Sequence, residues 1–265
     1  MRPDWDAIVA RSRIGGPDGL LPRPIAMRHS TSLGSPRRPL GGLLSGHEVL
    51  VVQHRGETPS ALLLNALAGL GIEPVVRDVA SAADLPAPRG VQSVIVVGWE
   101  RVDEAASAGY LDAEANWLRQ VDRTGATILG LGHGARVLAL AFGGELRSAG
   151  RPIRGWGMVD TAIPHVIAAG PWLTWQYDVI ALPSPAVVMA HNRLGPQAFR
   201  LGRHLGVQFH PEATSATLTE WAARNDRPVD VAAALRATSR DVTAAALCTR
   251  RLLTTVVNTT TGTAW

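Results

Sequence analysis

The 265-residue sequence contains no lysine and one cysteine, Cys248. All 26 basic residues are therefore arginine, and this residue type lifts the isoelectric point to about 10.4 although the net charge is only +4. Basic pairs such as Arg37–Arg38 and Arg250–Arg251 stand alone, without the interleaved aromatics of a single-strand binding surface, so no nucleic-acid partner is expected. A single cysteine excludes an internal disulfide, a thiolate metal cage and a Cys-x-x-Cys redox pair. No run approaches the roughly 18 to 20 apolar residues needed to cross a bilayer, and the first residues carry charges and prolines where a secretory signal needs an apolar stretch. No membrane partner and a cytoplasmic location are the expectations that follow.

What is present suits a full core: 46% of the residues are hydrophobic. Residues 1–46 are rich in Pro, Gly, Arg and Ser without sustained periodicity and read as an extended or partly disordered N-terminal arm. The pattern then becomes regular. "EVLVVQH" (48–54) reads as a buried strand, "PSALLLNALAGLG" (59–71) as a helix closed by glycine, and "EPVVRDV" (73–79) as a second strand. "SVIVVGWE" (93–100) is a third strand, "LDAEANWLRQVDRTG" (111–125) an amphipathic helix with Ala115, Leu118 and Val121 on its apolar side, and "ATILGL" (126–131) a fourth strand. Strands alternating with helices imply a parallel sheet covered on both faces, with ligands at the carboxyl ends of the strands. Shorter strand-like pieces follow around "GWGMVDTAI", "VIALP", "AVVMAHN" and "QAFRLG", as antiparallel additions with a lid-like region that Trp156, Trp172 and Trp175 would line or pack. From Asp230 to Val257 the pattern is helical again, with Asp230 as a cap and Leu235, Val242, Leu252 and Val256 on the apolar side. The domain boundaries read as 1–46, 47–225 and 226–265, the last a C-terminal helical appendage and tail.

The turn in "ATILGLGHGARVLALAFGG" admits two readings. Gly130, Gly132 and Ala135 match the G-x-G-x-x-A of a dinucleotide site, but such a site also wants an acidic residue at the end of the next strand, and Glu145 comes too early. The same strand-turn-helix also makes a nucleophile elbow, which lifts one reactive side chain above a sheet edge. The apex here, Gly132, carries no side chain.

The stretch "GVQFHPE" (206–212) decides between them. Together with "VLVVQH", "VIVVG", "ILGLGHGARVLALAFGG", "GWG", "WQYD" and "QAFR", it resembles the class I glutamine amidotransferases, in particular those similar to the glutaminase domain of GMP synthase, over about residues 48–225. The resemblance implies an α/β fold, a parallel or mixed sheet flanked by helices, and a Cys-His-Glu triad that hydrolyses glutamine. On the matching positions it makes His210 the base and Glu212 the carboxylate that fixes its tautomer. It also places Gly98, Trp99, Gly132, His133 and Arg136 around the substrate, with His133 contributing its backbone N–H.

Three matching positions depart from the family pattern. Gly132 stands where the nucleophilic cysteine belongs, Arg136 where a glutamine holds substrate, and "GWE" (98–100) where Gly-Gly-Pro lines the oxyanion side, so that Trp99 crowds the pocket. A working glutaminase is not expected. Two readings stay open: a repurposed small-molecule enzyme using His210 and Glu212 in non-covalent acid–base chemistry on a carboxylate or amide substrate anchored by Arg136, or a catalytically dead partner of a synthetase or other biosynthetic enzyme. The first keeps a solvent-connected cavity between Gly132, Arg136 and His210, and the second has it plugged. Homo-oligomerisation is left open. No cofactor is expected, and no metal: among His133, His210 and Glu212 the His-Pro-Glu turn is already accounted for as a triad remnant, and His54 reads as a packing or hydrogen-bonding residue.

Overall fold

Apolar β-branched runs buried on both sides form the centre of the molecule. In the computed structural model, which describes residues 48–54, 61–98, 104–223 and 244–256, the strands β1 (Val49–His54), β2 (Val75–Val79), β3 (Ser93–Val96) and β4 (Thr127–Leu131) lie parallel in the order β2-β1-β3-β4. The strand His204–Val207 joins β4 in parallel, with Leu131 opposite Val207. Beyond it the sheet turns antiparallel through Gly195–Leu201, Val187–Asn192, Glu145–Thr161 and Gly170–Ala181. In chain order these are β5 (Glu145–Thr161), β6 (Gly170–Ala181), β7 (Val187–Asn192), β8 (Gly195–Leu201) and β9 (His204–Val207). The sheet is mixed, parallel in one half and antiparallel in the other, as the sequence pattern implies.

Alternation along each strand divides the core in two. Val49, Val51, Ile95, Leu129, Leu131 and Val207 face one side, where they meet helix α1 (Ala61–Ala68) and the helix formed by residues 244–256. Leu50, Val52, Val94, Val96 and Ile128 face the other, against α2 (Glu104–Arg123) and α3 (His133–Ala141). The expected contacts Ala115, Leu118 and Val121 of α2 are buried there. Each fully buried Leu or Val contributes about 1.5–3 kcal/mol relative to exposure, so these two layers carry the fold.

The stretch "RSAGRPIRG" (147–155), rich in glycine and arginine and holding a proline, lies within β5. Pairing with β6 continues through it with a shift of register between Ser148 and Ile153, and Gly150 has φ 72°. The extra residues are taken up by an irregularity in the ladder, and a non-proline left-handed position there needs glycine. Helix α4 (Ser215–Ala223) follows the His-Pro-Glu turn, and residues 244–256 form α5. On α5, Leu252 and Val256 are buried as expected; Asp230, Leu235 and Val242, like the arm 1–46, lie outside the described residues. No described helix is long and apolar enough to cross a membrane.

Cys248 sits on the inner side of α5. Burial pushes its thiol up to about 12, with Arg251 opposing and Glu212 adding to the shift. Thiolate is the reactive form, so we expect no modification of the native protein by a thiol reagent at about pH 8 and one equivalent after denaturation. The unfolded chain releases this proton near 9.0 and the folded chain near 12, so the contribution is intact below about pH 9 and is lost as pH rises towards 12. A pH-resolved unfolding series of the wild type against Cys248→Ala checks that sign.

Candidate functional site

The parallel strands β3, β4 and β9 end at one edge of the sheet, and their following turns meet there. Three glycines make the β4–α3 turn possible. A Cβ on Gly130 would lie 2.4 Å from the backbone of Gly134, and a Cβ on Gly134 would lie 2.2 Å from the Val96 carbonyl oxygen, so both positions allow α3 to lie directly on the sheet. Gly132 is the apex, with φ 55° and ψ −108°, a backbone conformation that only glycine adopts without strain. The glycine density of the turn thus follows from close strand-to-helix packing and the sharp elbow.

His210 reaches the same apex from the turn after β9. Its backbone N–H donates to the Leu173 carbonyl of β6 at 2.8 Å, and its ring packs edge-on against Trp221 of α4, with centroids 4.7 Å apart. Nδ1 donates to Glu212 Oε1 at 2.8 Å, which leaves the lone pair on Nε2. Nε2 is buried with no hydrogen-bond partner among the described residues. It points at Gly132: a Cβ on that glycine would lie 2.8 Å from Nε2, 2.2 Å from Cε1 of the same ring and 2.5 Å from the Gly98 carbonyl oxygen. The imidazole occupies the space into which an apex side chain would project.

The elbow amides are also engaged. His133 N–H donates to the Gly98 carbonyl at 2.7 Å, and Gly132 N–H to the Val207 carbonyl at 2.9 Å. Arg136, one turn into α3, donates to Asp178 Oδ2 of β6 at 3.1 Å and to His133 Nδ1 at 3.3 Å. His133, Arg136, His210 and Glu212 are all buried. The structure therefore brings Gly98, Gly132, His133, Arg136, His210 and Glu212 to one edge, while Trp99 lies outside the described residues.

Two further residues join them that the sequence reading left out of the site. Glu114, with no exposed surface on α2, lies between two imidazoles: its Oε1 is 2.8 Å from His54 Nε2 and its Oε2 is 2.8 Å from His133 Nε2. His54 Nδ1 donates in turn to the Val97 carbonyl at 2.9 Å. Burial alone would raise the Glu114 carboxyl, but His54 and His133 together hold it well below the usual carboxylate range. Burial brings His133 down to about 4 in spite of Glu114, so its ring is neutral at pH 7. Because a guanidinium only donates, Arg136 fixes the tautomer: His133 accepts at Nδ1 and gives its Nε2–H to Glu114. By ligand type and spacing His54, Glu114 and His133 are also a group able to hold a metal, with all three ligand atoms within 4.8 Å of one another. One sequence signal marks Glu114, namely an acid at i, i+4, i+7 with Leu118 and Val121 on the apolar side of α2.

No protein-family model matches the sequence. A GMP synthase (glutamine-hydrolysing) from Thermomicrobium roseum is 32% identical over 109 residues, 38% of this chain but only 21% of that protein. Among solved structures, a glutamine amidotransferase from Methylobacillus flagellatus superposes with TM-score 0.70 and 18% identity, covering 81% of this chain and 96% of the other. The fold is that of the class I glutamine amidotransferases. A second amidotransferase structure, from Thermotoga maritima, gives TM-score 0.66 at 19% identity over 80% of this chain and 99% of its own. Within the amidotransferase fold, Gly132 is the apex of the strand-to-helix elbow and His210–Glu212 the dyad facing it.

Proposed function

We propose that this chain is an amidotransferase-like protein without glutaminase activity, acting as a binding or regulatory partner of a synthetase or other biosynthetic enzyme. The observation that carries this reading is the contact between Gly132 and His210. The apex offers no nucleophile, and the ring of the would-be base lies where one would stand. Two supporting observations concern the amides and the anchor. The N–H following an elbow apex is an expected oxyanion donor, and here it is bonded to Gly98. Arg136, which would anchor a carboxylate or amide substrate, is held by Asp178 and His133.

A second reading rests on a different observation. His210 keeps the dyad with Glu212 and an unpartnered Nε2 lone pair, the state a general base needs. Non-covalent acid–base chemistry on a small molecule would use that lone pair.

Steady-state ammonia release from glutamine distinguishes the readings from a working glutaminase. The purified protein is expected to give the rate of a buffer control, with or without His210→Ala. Release above the control that disappears in His210→Ala would refute the proposal.

A further inference from the structure

We propose that His54, Glu114 and His133 form a binding site for one divalent transition metal of the zinc class, behind the elbow and separate from the His210–Glu212 dyad. The site is assembled from three elements: the end of β1, the middle of α2 and the first residue of α3. Two imidazoles and a carboxylate, with relative exposures of 2%, 0% and 2% in chain order, converge within 4.8 Å. Such an N2O set suits zinc, cobalt or nickel far better than calcium or magnesium, which take oxygen ligands.

The hydrogen bonds show why a cation belongs there. His54 Nδ1 donates to the Val97 carbonyl at 2.9 Å, so a ring with no second proton would turn a lone pair towards Glu114 Oε1, 2.8 Å away. A lone pair and a carboxylate oxygen at that distance require a positive centre between them, either a proton or a metal. The Val97 contact is the outer-shell acceptor that orients metal-binding histidines. Tetrahedral zinc, at roughly 2.0–2.1 Å from each ligand atom, separates ligand atoms by roughly 3.3 Å. An imidazole nitrogen and the carboxylate oxygen 2.8 Å from it would open by about half an ångström, while the ligand atoms furthest apart, within 4.8 Å, would close towards the ion.

The exchange balances as follows. The proton shared by His54 and Glu114 leaves to solvent as the metal enters. The His133 proton moves from Nε2 to Nδ1, freeing Nε2 to bind. Arg136, whose 3.3 Å contact with Nδ1 is longer than its 3.1 Å bond to Asp178, gives up the former and keeps the latter. A water or small anion completes the fourth position, and an anion offsets the added positive charge.

The test is elemental analysis of the full chain expressed in zinc-supplemented medium and passed through gel filtration in citrate. It is paired with thermal midpoints with and without added zinc chloride, and with visible spectra after growth on cobalt(II). We expect one zinc per chain, a higher midpoint in zinc, and the strong visible bands of low-coordinate cobalt. Glu114→Gln is the decisive variant, because a carboxamide can hydrogen-bond both imidazoles and keep the fold yet is a poor ligand. It should retain at least tenfold less zinc and lose the midpoint shift. His204→Asn, which removes another buried imidazole bonded to a carboxylate, should behave as the wild type. A wild-type chain that purifies without zinc and shows no midpoint shift would overturn the proposal, as would zinc fully retained by folded Glu114→Gln.

Discussion

Replacing Gly132 by cysteine is expected to leave glutamine hydrolysis at the level of the buffer control and to lower stability by about 2–4 kcal/mol. Two costs add. A non-glycine residue must adopt φ 55° and ψ −108°, and its Cβ would lie 2.2 Å from His210 Cε1 and 2.5 Å from the Gly98 oxygen. The second contact is with backbone, which cannot swing aside, and the first can be relieved only by moving the ring whose Nδ1 is tied to Glu212. The nominal triad is thus rebuilt at the expense of the geometry that would make it work. Even a well-placed thiol would lack the His133 N–H, which is bonded to Gly98, and losing one oxyanion donor costs about 10²–10³ in rate. Glutamate release and the unfolding midpoint, measured on one preparation, check both parts.

Glu114→Ala is expected to cost about 3–5 kcal/mol, because it leaves two buried imidazoles without their shared acceptor. Glu114→Gln should cost about 1 kcal/mol or less. In that variant the amide N–H₂ can donate to the Nε2 lone pair of His54 and the amide oxygen can accept from His133 Nε2–H, so each bond of the chain has a replacement. The wide gap between the two variants follows from the hydrogen-bond directions fixed by Val97 and Arg136. Urea unfolding of both proteins, with circular dichroism of the native states, gives the comparison. Equal losses would mean that charge, rather than hydrogen-bond pairing, holds His54 and His133 in place.

The parallel half of the sheet is legible in the sequence because β1, β3 and β4 are short runs buried on both faces, and they fall where "EVLVVQH", "SVIVVG" and "ATILGL" place them. The site edge is legible for a different reason: "GHGAR" and "FHPE" are local motifs, each of which keeps its own residues together at the end of a strand, β4 and β9. Glu114 and His54 are separated by 60 positions and are joined only when α2 packs across the end of β1. No local pattern encodes such a pair beyond the single acid on an apolar helix side. The continuity of β5 was hidden for the opposite reason. Glycine and proline in "RSAGRPIRG" signal a loop, but the ladder to β6 accommodates them by a change of register. The closure of the elbow, too, depends on a tertiary contact: Gly132 predicts the missing nucleophile, whereas the position of the His210 ring against it required the fold.

Calorimetric titration of glutamine into the wild-type protein tests the central claim most directly. With His210 packed on Gly132, the elbow amides bonded to Gly98 and Val207, and Arg136 held by Asp178, the account predicts no saturable heat at millimolar glutamine. Saturable binding competed by glutamate and weakened by Arg136→Ala would contradict it, because the elbow would then still be an open glutamine pocket.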